Sequence, residues 1–341
     1  MRASLICRLA SYVVGVVFSV AAQAADPTLA PALKAQVQAI LQSSKSTGAT
    51  VLLVDALGVS AAYLHGDARA NACHSAGAAG DALVALAAMR LAERNKVDLY
   101  ASLPKSVAMP GSAACKSKVT LSRLLEHTSG MGTLPSQGND CAGNRTAYSA
   151  SGVALAALTL EKTTKLSMST LIKREVFAPL AMHSSSWSLG ASANSVAASC
   201  VGASAPAQAG LTTTPHHMAS MVQMLLQRGQ VDAKTYLPQC AVERMGISVS
   251  AASMPGGNTP AAIDHADYGL GLQRFKAGGV SWLGYSGDSY DAQWVWGYSS
   301  QTQSGMVIML LGQDAKALRA IKIAVATHLQ RDAEQALVSN R

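Results

Sequence analysis

The chain has 341 residues, of which 49% are hydrophobic, 13% charged and 5% aromatic, and its formal net charge is +8. This balance of many apolar and few charged residues excludes a disordered chain and a coiled coil. Because the basic residues are scattered and aromatic residues are sparse, we expect no nucleic-acid surface. The six cysteines show no zinc-site spacing, and we expect neither a metal nor a cofactor.

Residues 1–24 have the features of a secretory signal peptide. Arg2 and Arg8 precede the apolar run 9–22. Ala22 and Ala24 supply small residues at the two positions that a signal peptidase recognises, before a cleavage site after Ala24. The run is shorter than the roughly 20 residues of a membrane-spanning helix. We therefore expect residues 25–341 to be exported to the periplasm or secreted, with no membrane span after cleavage. An uncleaved membrane anchor is the alternative.

Cleavage would remove Cys7 and leave an odd number of cysteines. In an oxidising compartment we expect up to two disulfides and one free thiol, and the spacings do not assign the pairs. The remaining cysteines are Cys73, Cys115, Cys141, Cys200 and Cys240.

The first part of the mature chain alternates between helical and extended patterns. Apolar residues at helical spacing predict an amphipathic helix over 29–43. Two extended runs, 49–54 and 59–64, flank a turn and predict a β-hairpin. Residues 66–80 have the composition of a loop, and the apolar stretch 82–92 predicts a buried helix.

The middle of the chain is helical in pattern. Ser167 is a candidate cap for one of these helices, and residues 184–210 have the composition of a loop. Three methionines at a spacing of three, Met218, Met221 and Met224, predict a stripe that faces the core. The predicted helices span 121–126, 150–161, 167–177 and 215–227.

The last part of the chain returns to strands, predicted over 268–275, 281–286, 292–298 and 306–311, before a final helix over 314–330. Strands therefore lie at both ends of the mature chain and helices fill its middle. This layout predicts an α+β fold, with one antiparallel sheet built from both chain ends, flanking helices and an inserted helical region. The sheet part covers about 25–75 and 265–341, and the helical part about 76–264.

Residues 119–131, VTLSRLLEHTSGM, resemble the helix-then-loop signature of the serine β-lactamase and penicillin-binding DD-peptidase superfamily, in its class C and esterase-like branch. The resemblance covers nearly all of the mature chain and implies a β-lactamase/transpeptidase-like fold. Further segments match that branch in the same order: 91–99, 148–149, 176–182, 209–214, 268–272 and 284–287.

Enzymes of this superfamily acylate a serine, which needs a base within hydrogen-bond reach. They place serine and lysine three residues apart at the start of the buried helix, so that both lie on one face. The family's spacing puts this pair at Ala78 and Asp81. A methyl group cannot attack a carbonyl, and a carboxylate there has no hydroxyl to activate. We expect Asp81 to cap the helix by accepting free N–H groups.

The other two chemical elements of the family are also altered. In the Tyr-x-Asn element the tyrosine is present as Tyr148, expected to be a packing residue, but Ala150 replaces the asparagine amide. In the third element Tyr285, a phenol that is neutral near pH 7, replaces a lysine or histidine. The small residues Ser286 and Gly287 follow, and we expect them to leave room for a ligand backbone.

Two histidine segments suggest other chemistry. His127 and Ser129 resemble part of a catalytic triad, but the Gly-x-Ser-x-Gly elbow is absent and the family uses this loop for structure. His216 and His217 are neighbours and point apart on a helix, so we expect surface residues rather than a metal site.

The leading hypothesis is an exported pseudoenzyme of the serine hydrolase family. Its cleft, lined by Tyr148, Tyr285, Ser286 and Gly287, would bind a cell-wall peptide, or its surface would bind an envelope protein. One alternative is a divergent active esterase or DD-peptidase that uses a non-standard nucleophile, Ser75 or another serine, with Tyr148 as base. Another is a non-enzymatic interaction protein of the cell envelope.

Overall fold

The computed structural model describes residues 28–69, 71–108, 118–131, 146–188, 210–248 and 267–339. The predicted signal peptide and its cleavage site lie outside these ranges. Within them, no helix combines the length and the apolar character needed to cross a membrane.

Helices occupy the middle and both ends of the described chain. A 3₁₀ turn, Gly77–Gly80, leads directly into the second α-helix, and a π-helical turn, Lys173–Phe177, follows the fifth. The α-helices of the described residues are α1 Pro31–Gln42, α2 Asp81–Glu93, α3 Leu121–Leu125, α4 Ala150–Thr164, α5 Met168–Ile172, α6 Pro215–Leu226, α7 Gln239–Gly246 and α8 Ala315–Ser339.

The strands of the described residues are β1 Gly48–Asp55, β2 Gly58–Gly66, β3 His74–Ser75, β4 Ser186–Ser188, β5 Gly210–Thr213, β6 Gln230–Val231, β7 Lys234–Thr235, β8 Asp267–Tyr268, β9 Gln273–Ala277, β10 Val280–Asp288, β11 Ala292–Ser299 and β12 Ser304–Leu311. Seven of them form one sheet in the order β2-β1-β12-β11-β10-β9-β8, and every neighbouring pair is antiparallel. The predicted α+β fold, with an antiparallel sheet built from both chain ends, is confirmed. A smaller sheet has the order β3-β5-β4.

Both faces of the large sheet are covered. Along β1, Val51 belongs to the apolar cluster that contains α1 and α8, whereas its neighbour Leu52 belongs to the cluster that contains α2 and α6. Successive side chains of a strand point to opposite faces, so a strand covered on both sides needs apolar residues at almost every position. This requirement explains the nearly unbroken apolar run 49–54.

The start of α2 is fixed against the large sheet by two indole groups of β11. Trp294 Nε1 donates to the carbonyl oxygen of Ser75 at 2.9 Å, and Trp296 Nε1 donates to that of Ala79 at 2.9 Å. Residues 82–89 of α2 are all buried, as the sequence predicts. The first turn of this helix therefore has a defined position beside β10 and β11.

Several predicted elements differ in detail from the structure. The segment 66–80, predicted as a loop, contains β3 and the 3₁₀ turn. The single strand predicted over 268–275 is divided into β8 and β9 by a turn in which Gly271 has a φ of +79°, a value that favours glycine. The amphipathic helix α7 and the continuation of α8 to Ser339 were not predicted.

Other predictions of local structure agree with the described residues. The hydroxyl of Ser167 accepts a hydrogen bond from the backbone N–H of Thr170 and caps α5, and the three methionines of α6 are buried. Neither described cysteine, Cys73 or Cys240, is a free thiol. The other mature cysteines lie outside the described residues, so the disulfide pairing and the free thiol stay predictions.

Candidate ligand-binding site

Two of the family's elements meet at the start of α2. The hydroxyl of Tyr148 donates to Asp81 Oδ2 at 2.9 Å. Tyr148 is held there because the next residue, Ser149, caps α4 by accepting the backbone N–H of Gly152 at 2.9 Å. Ala78 lies in the 3₁₀ turn just before Asp81, and Ala78, Asp81 and Tyr148 all remain partly exposed. The side chain of Ala150 points away from the core and is exposed.

The end of β10 packs directly on the 3₁₀ turn. A Cβ atom at Gly287 would lie 2.2 Å from the backbone nitrogen of Ala79 and 2.8 Å from that of Ala78. Only glycine permits this approach. Glycine is thus required here by the protein's own turn, and the expectation that Gly287 leaves room for a ligand backbone along the strand edge stays a prediction.

The same strand nevertheless keeps a free edge. β9 pairs with β10 only as far as Gly284, so residues 285–288 have no strand partner on that side within the described chain. Ser286 is fully buried, and its hydroxyl lies 3.4 Å from Gln273 Oε1. The edge is thus formed by backbone groups rather than by the Ser286 side chain.

Tyr285 turns inward to a buried histidine. Ser149 N–H donates to His127 Nδ1 at 3.1 Å, so Nδ1 carries no proton and Nε2–H donates to the Tyr285 hydroxyl at 2.8 Å. Burial lowers the pKa of His127 to about 3, which keeps the imidazole neutral. His127 therefore joins the α4 cap to β10 as a neutral bridge, and neither ring nitrogen is free to accept a proton from a hydroxyl.

Tyr268 completes a group of packed rings, the tyrosine–histidine cluster of His127, Tyr148, Tyr268 and Tyr285. The His127 ring centroid lies 4.5 Å from that of Tyr268 and 5.0 Å from that of Tyr148. The Tyr268 centroid lies 6.4 Å from that of Tyr148 and 6.3 Å from that of Tyr285. Tyr268 was not predicted to be a site residue. Its only signal was its place at the start of a family-like segment.

Among the described residues, Asp81 is the carboxylate that hydrogen-bonds to the tyrosine–histidine cluster, through Tyr148. Burial raises its pKa to about 7, and the hydrogen bond from Tyr148 opposes this rise. Among the described residues, no lysine or arginine pairs with Asp81. The predicted capping role is not what the structure shows, because the cap position is Gly80, without a side-chain hydrogen bond, and Asp81 accepts from Tyr148 instead.

The tyrosines of the cluster are held in the protonated form, which cannot act as a base. Burial raises the pKa of Tyr148, and the neighbouring Asp81 carboxylate raises it further. The same two causes raise the pKa values of Tyr268 and Tyr285. Because a tyrosine acts as a base only after losing its proton, this environment disfavours Tyr148 in that role.

The candidate nucleophile Ser75 lies in β3, where it pairs with Thr212 and is 7% exposed. Within the described ranges no side chain makes a hydrogen bond with its hydroxyl. A serine needs an adjacent base for attack. The structure thus places Ser75 near the start of α2 without bringing a base to it.

The remaining candidate residues have local roles. Ser129 is buried, and its hydroxyl accepts the backbone N–H of Met131 at 3.4 Å. His216 and His217 are half-buried rather than on the surface, and His217 Nδ1 lies 3.1 Å from the Ser185 hydroxyl. In the part of the chain that the structure describes, no group of three His, Cys, Asp or Glu side chains is placed to hold a metal ion.

Solved structures with this fold come from several enzyme types. A penicillin-binding protein homologue from Pyrococcus abyssi is 18% identical, with a TM-score of 0.69 over 88% of this chain and 77% of that chain. A beta-lactamase/D-alanine carboxypeptidase from Yersinia pestis is 17% identical, with a TM-score of 0.68 over 89% and 98%. A D-amino acid amidase from Ochrobactrum anthropi is 15% identical, with a TM-score of 0.67 over 89% and 99%.

At these identities the similarity establishes the fold alone, and no curated protein matches the chain significantly. The family assignment comes from the sequence profile described as Beta-lactamase, which matches residues 33–330 and so covers most of the chain. The residues of the site described above lie within the matched range. The chain belongs to the beta-lactamase family.

Proposed function

We propose that this chain is an exported member of the beta-lactamase family that no longer acylates a serine and uses its cleft to bind a cell-wall peptide. The observation that carries this proposal is the start of α2, where the methyl group of Ala78 and the carboxylate of Asp81 occupy the positions of nucleophile and base. Removal of a catalytic serine alone costs on the order of 10⁶ in kcat. Export is supported by the signal-peptide features of residues 1–24.

The binding part of the proposal is supported by the free edge of β10. An extended peptide can add to an exposed strand edge through main-chain hydrogen bonds, with affinity that does not depend on a catalytic residue. Residues 285–288 have no strand partner beyond Gly284 on that side within the described chain, although only Asp288 among them is exposed, and Gly287 lies against the turn that contains Ala78. A cleft that has lost its nucleophile can therefore still hold a peptide backbone.

The acylation test uses the mature protein and a penicillin. We expect the intact mass to stay unchanged after incubation, because Ala78 stands where the family resemblance places the acylated serine. The double variant Ala78→Ser plus Asp81→Lys restores the family's pair and tests whether the remaining cleft can support acylation. A penicillin adduct on one serine of the unaltered protein would overturn the proposal.

The alternative of a divergent hydrolase is tested with a small activated ester. Hydrolysis that disappears in the Ser75→Ala variant, but persists in the matched Ser129→Ala variant, would establish that alternative. We expect no hydrolysis above the rate in buffer.

The binding test uses a cell-wall stem peptide and thermal unfolding. A ligand that binds only the native state raises the apparent stability in proportion to its occupancy. We expect the peptide to raise the unfolding temperature, and Tyr148→Phe to reduce this rise more than the distant control Tyr298→Phe. No rise at saturating peptide would leave the interaction-protein alternative, which predicts a stable complex with an envelope protein.

A further inference from the structure

We infer that the cleft holds its ligand by an organic ammonium group bound to Asp81. This inference deepens the proposed binding function and rests on it. It names the chemical class of the group that enters the site, a primary ammonium carried on a small aliphatic or peptide chain.

The first argument is the geometry of the Asp81 carboxylate. Oδ2 accepts the hydroxyl of Tyr148, whereas Oδ1 has no hydrogen-bond partner in the described chain. Oδ1 is not fully enclosed by the protein, so solvent reaches it. Asp81 therefore keeps one unpaired acceptor oxygen on a partly exposed side chain at the start of α2, close in sequence to the partly exposed Ala78. An ammonium group supplies N–H donors for this oxygen.

The second argument is the charge of the surroundings. The titratable groups that face Asp81 are Tyr148 before α4, Tyr268 in β8 and Tyr285 in β10, and burial keeps all three phenols protonated. His127, which bridges the tyrosines, is neutral as well. Among the described residues, no element packed against Asp81 thus supplies a positive charge. An ionised, partly buried carboxylate without a counter-charge is unfavourable, and a ligand cation within about 4 Å would stabilise it.

The third argument is that the charge at the family's two cationic positions is changed from positive to negative or neutral. The family resemblance places an amine at position 81 and a lysine or histidine at position 285, a pair that suits an anionic ligand group. Here both positive groups are replaced, by Asp81 and by the neutral Tyr285. A carboxylate ligand would be repelled by ionised Asp81, whereas an ammonium would be attracted, and phenol oxygens and aromatic rings also favour cations.

Binding should be coupled to the ionisation of Asp81. Because burial raises its pKa to about 7, the cation competes with a proton for the carboxylate. A primary alkylammonium has a pKa near 10 and keeps its charge throughout this range. Its affinity should therefore be about tenfold weaker at pH 6 than at pH 8, and binding near pH 6 should release a proton.

The test titrates the mature protein with three matched probes, n-butylammonium, n-butanol and butyrate, and follows binding by protein NMR shifts and calorimetry. At pH 8 we expect n-butylammonium to bind at least tenfold more tightly than n-butanol, and butyrate more weakly than either. The preference should disappear in Asp81→Asn and persist in the exposed control Asp232→Asn. Tyr148→Phe keeps the carboxylate and should keep the preference, but shift its pH dependence to higher pH, because the Tyr148 hydrogen bond lowers the Asp81 pKa.

Equal affinities for n-butylammonium and n-butanol at pH 8, or a preference that survives in Asp81→Asn, would overturn the inference. These results differ from those that overturn the proposed function. A penicillin adduct on the unaltered protein would overturn the proposed function. A protein that binds the stem peptide but shows no preference for the ammonium probe would refute only the role of Asp81.

Discussion

Replacement of Asp81 by asparagine should make the protein more stable near neutral pH. Asparagine has nearly the same shape and can still accept the Tyr148 hydroxyl, but it cannot ionise. The folded-state pKa of Asp81 is about 7 against an ordinary 3.8. Between these values the folded protein holds a proton that the unfolded chain has lost, so this group's contribution to stability decreases as the pH rises from about 4 to about 7.

The size of the effect follows from the pKa difference. About three units at 1.36 kcal/mol each give roughly 4 kcal/mol as an upper limit, because water at the exposed side of Asp81 weakens the effect. The variant and the unaltered protein should be equally stable below pH 4. Above pH 7 the variant should be more stable, by up to about 4 kcal/mol.

His127 must be separated from this measurement because it acts in the opposite direction. Burial lowers its folded-state pKa to about 3 from 6.5, so its contribution is complete above pH 6.5 and is lost as the pH falls toward 3. In the unaltered protein the two effects largely cancel between pH 4 and 6.5. In the difference between variant and unaltered protein the contribution of His127 drops out.

The assay is urea unfolding of Asp81→Asn, Asp232→Asn and the unaltered protein at pH 4, 5.5, 7 and 8. The stability difference for Asp81→Asn should rise with pH and level off above pH 7, whereas Asp232→Asn should show no such rise. A difference that does not change with pH, or an Asp81→Asn protein that is less stable at pH 8, would refute the assignment of an unpaired carboxylate.

Three further substitutions test the surroundings of the site, each by urea unfolding. His127→Phe removes the bridge between Tyr285 and the α4 cap and leaves buried polar groups without partners, so we expect a loss of about 2 to 4 kcal/mol; a loss below 1 kcal/mol would contradict the bridge. Gly287→Ala should cost at least about 2 kcal/mol because the new Cβ meets backbone at 2.2 Å, and unchanged stability would contradict this packing. Glu175→Gln removes the buried negative charge that pairs with Arg90 at 3.3 Å and also with Arg94 and Arg174, so we expect a loss of about 3 kcal/mol, and a neutral effect would show that this charge is dispensable.

Local sequence patterns were sufficient for elements whose burial is uniform. The hairpin of β1 and β2 and the helix α2 follow from runs of apolar residues with clear periodicity. The division of 268–275 into β8 and β9 depends instead on a turn at Gly271, which packs against Ala85 of α2. A contact between such distant segments leaves no mark in a local pattern.

The site shows the same division between local and long-range information. The absence of a nucleophile and a base at Ala78 and Asp81 follows from the aligned family segments alone. The hydrogen bond between His127 and Tyr285 joins residues 158 positions apart, and no spacing rule predicts it. The close packing of Gly287 on the 3₁₀ turn was not predicted for the same reason, because the turn lies far from Gly287 in the sequence.

Each tyrosine hydroxyl of the tyrosine–histidine cluster has a hydrogen-bond partner. The hydroxyl of Tyr148 binds Asp81, that of Tyr285 binds His127, and that of Tyr268 accepts Gln273 Nε2 at 3.2 Å. A buried polar group without a partner costs about 1 to 3 kcal/mol. Substitution of catalytic residues without further adjustment would be expected to leave some buried polar groups without hydrogen-bond partners. The replacement of cations at positions 81 and 285 instead leaves a satisfied network around one carboxylate oxygen open to solvent. This combination favours a cleft that has changed its ligand over one that has only lost its chemistry.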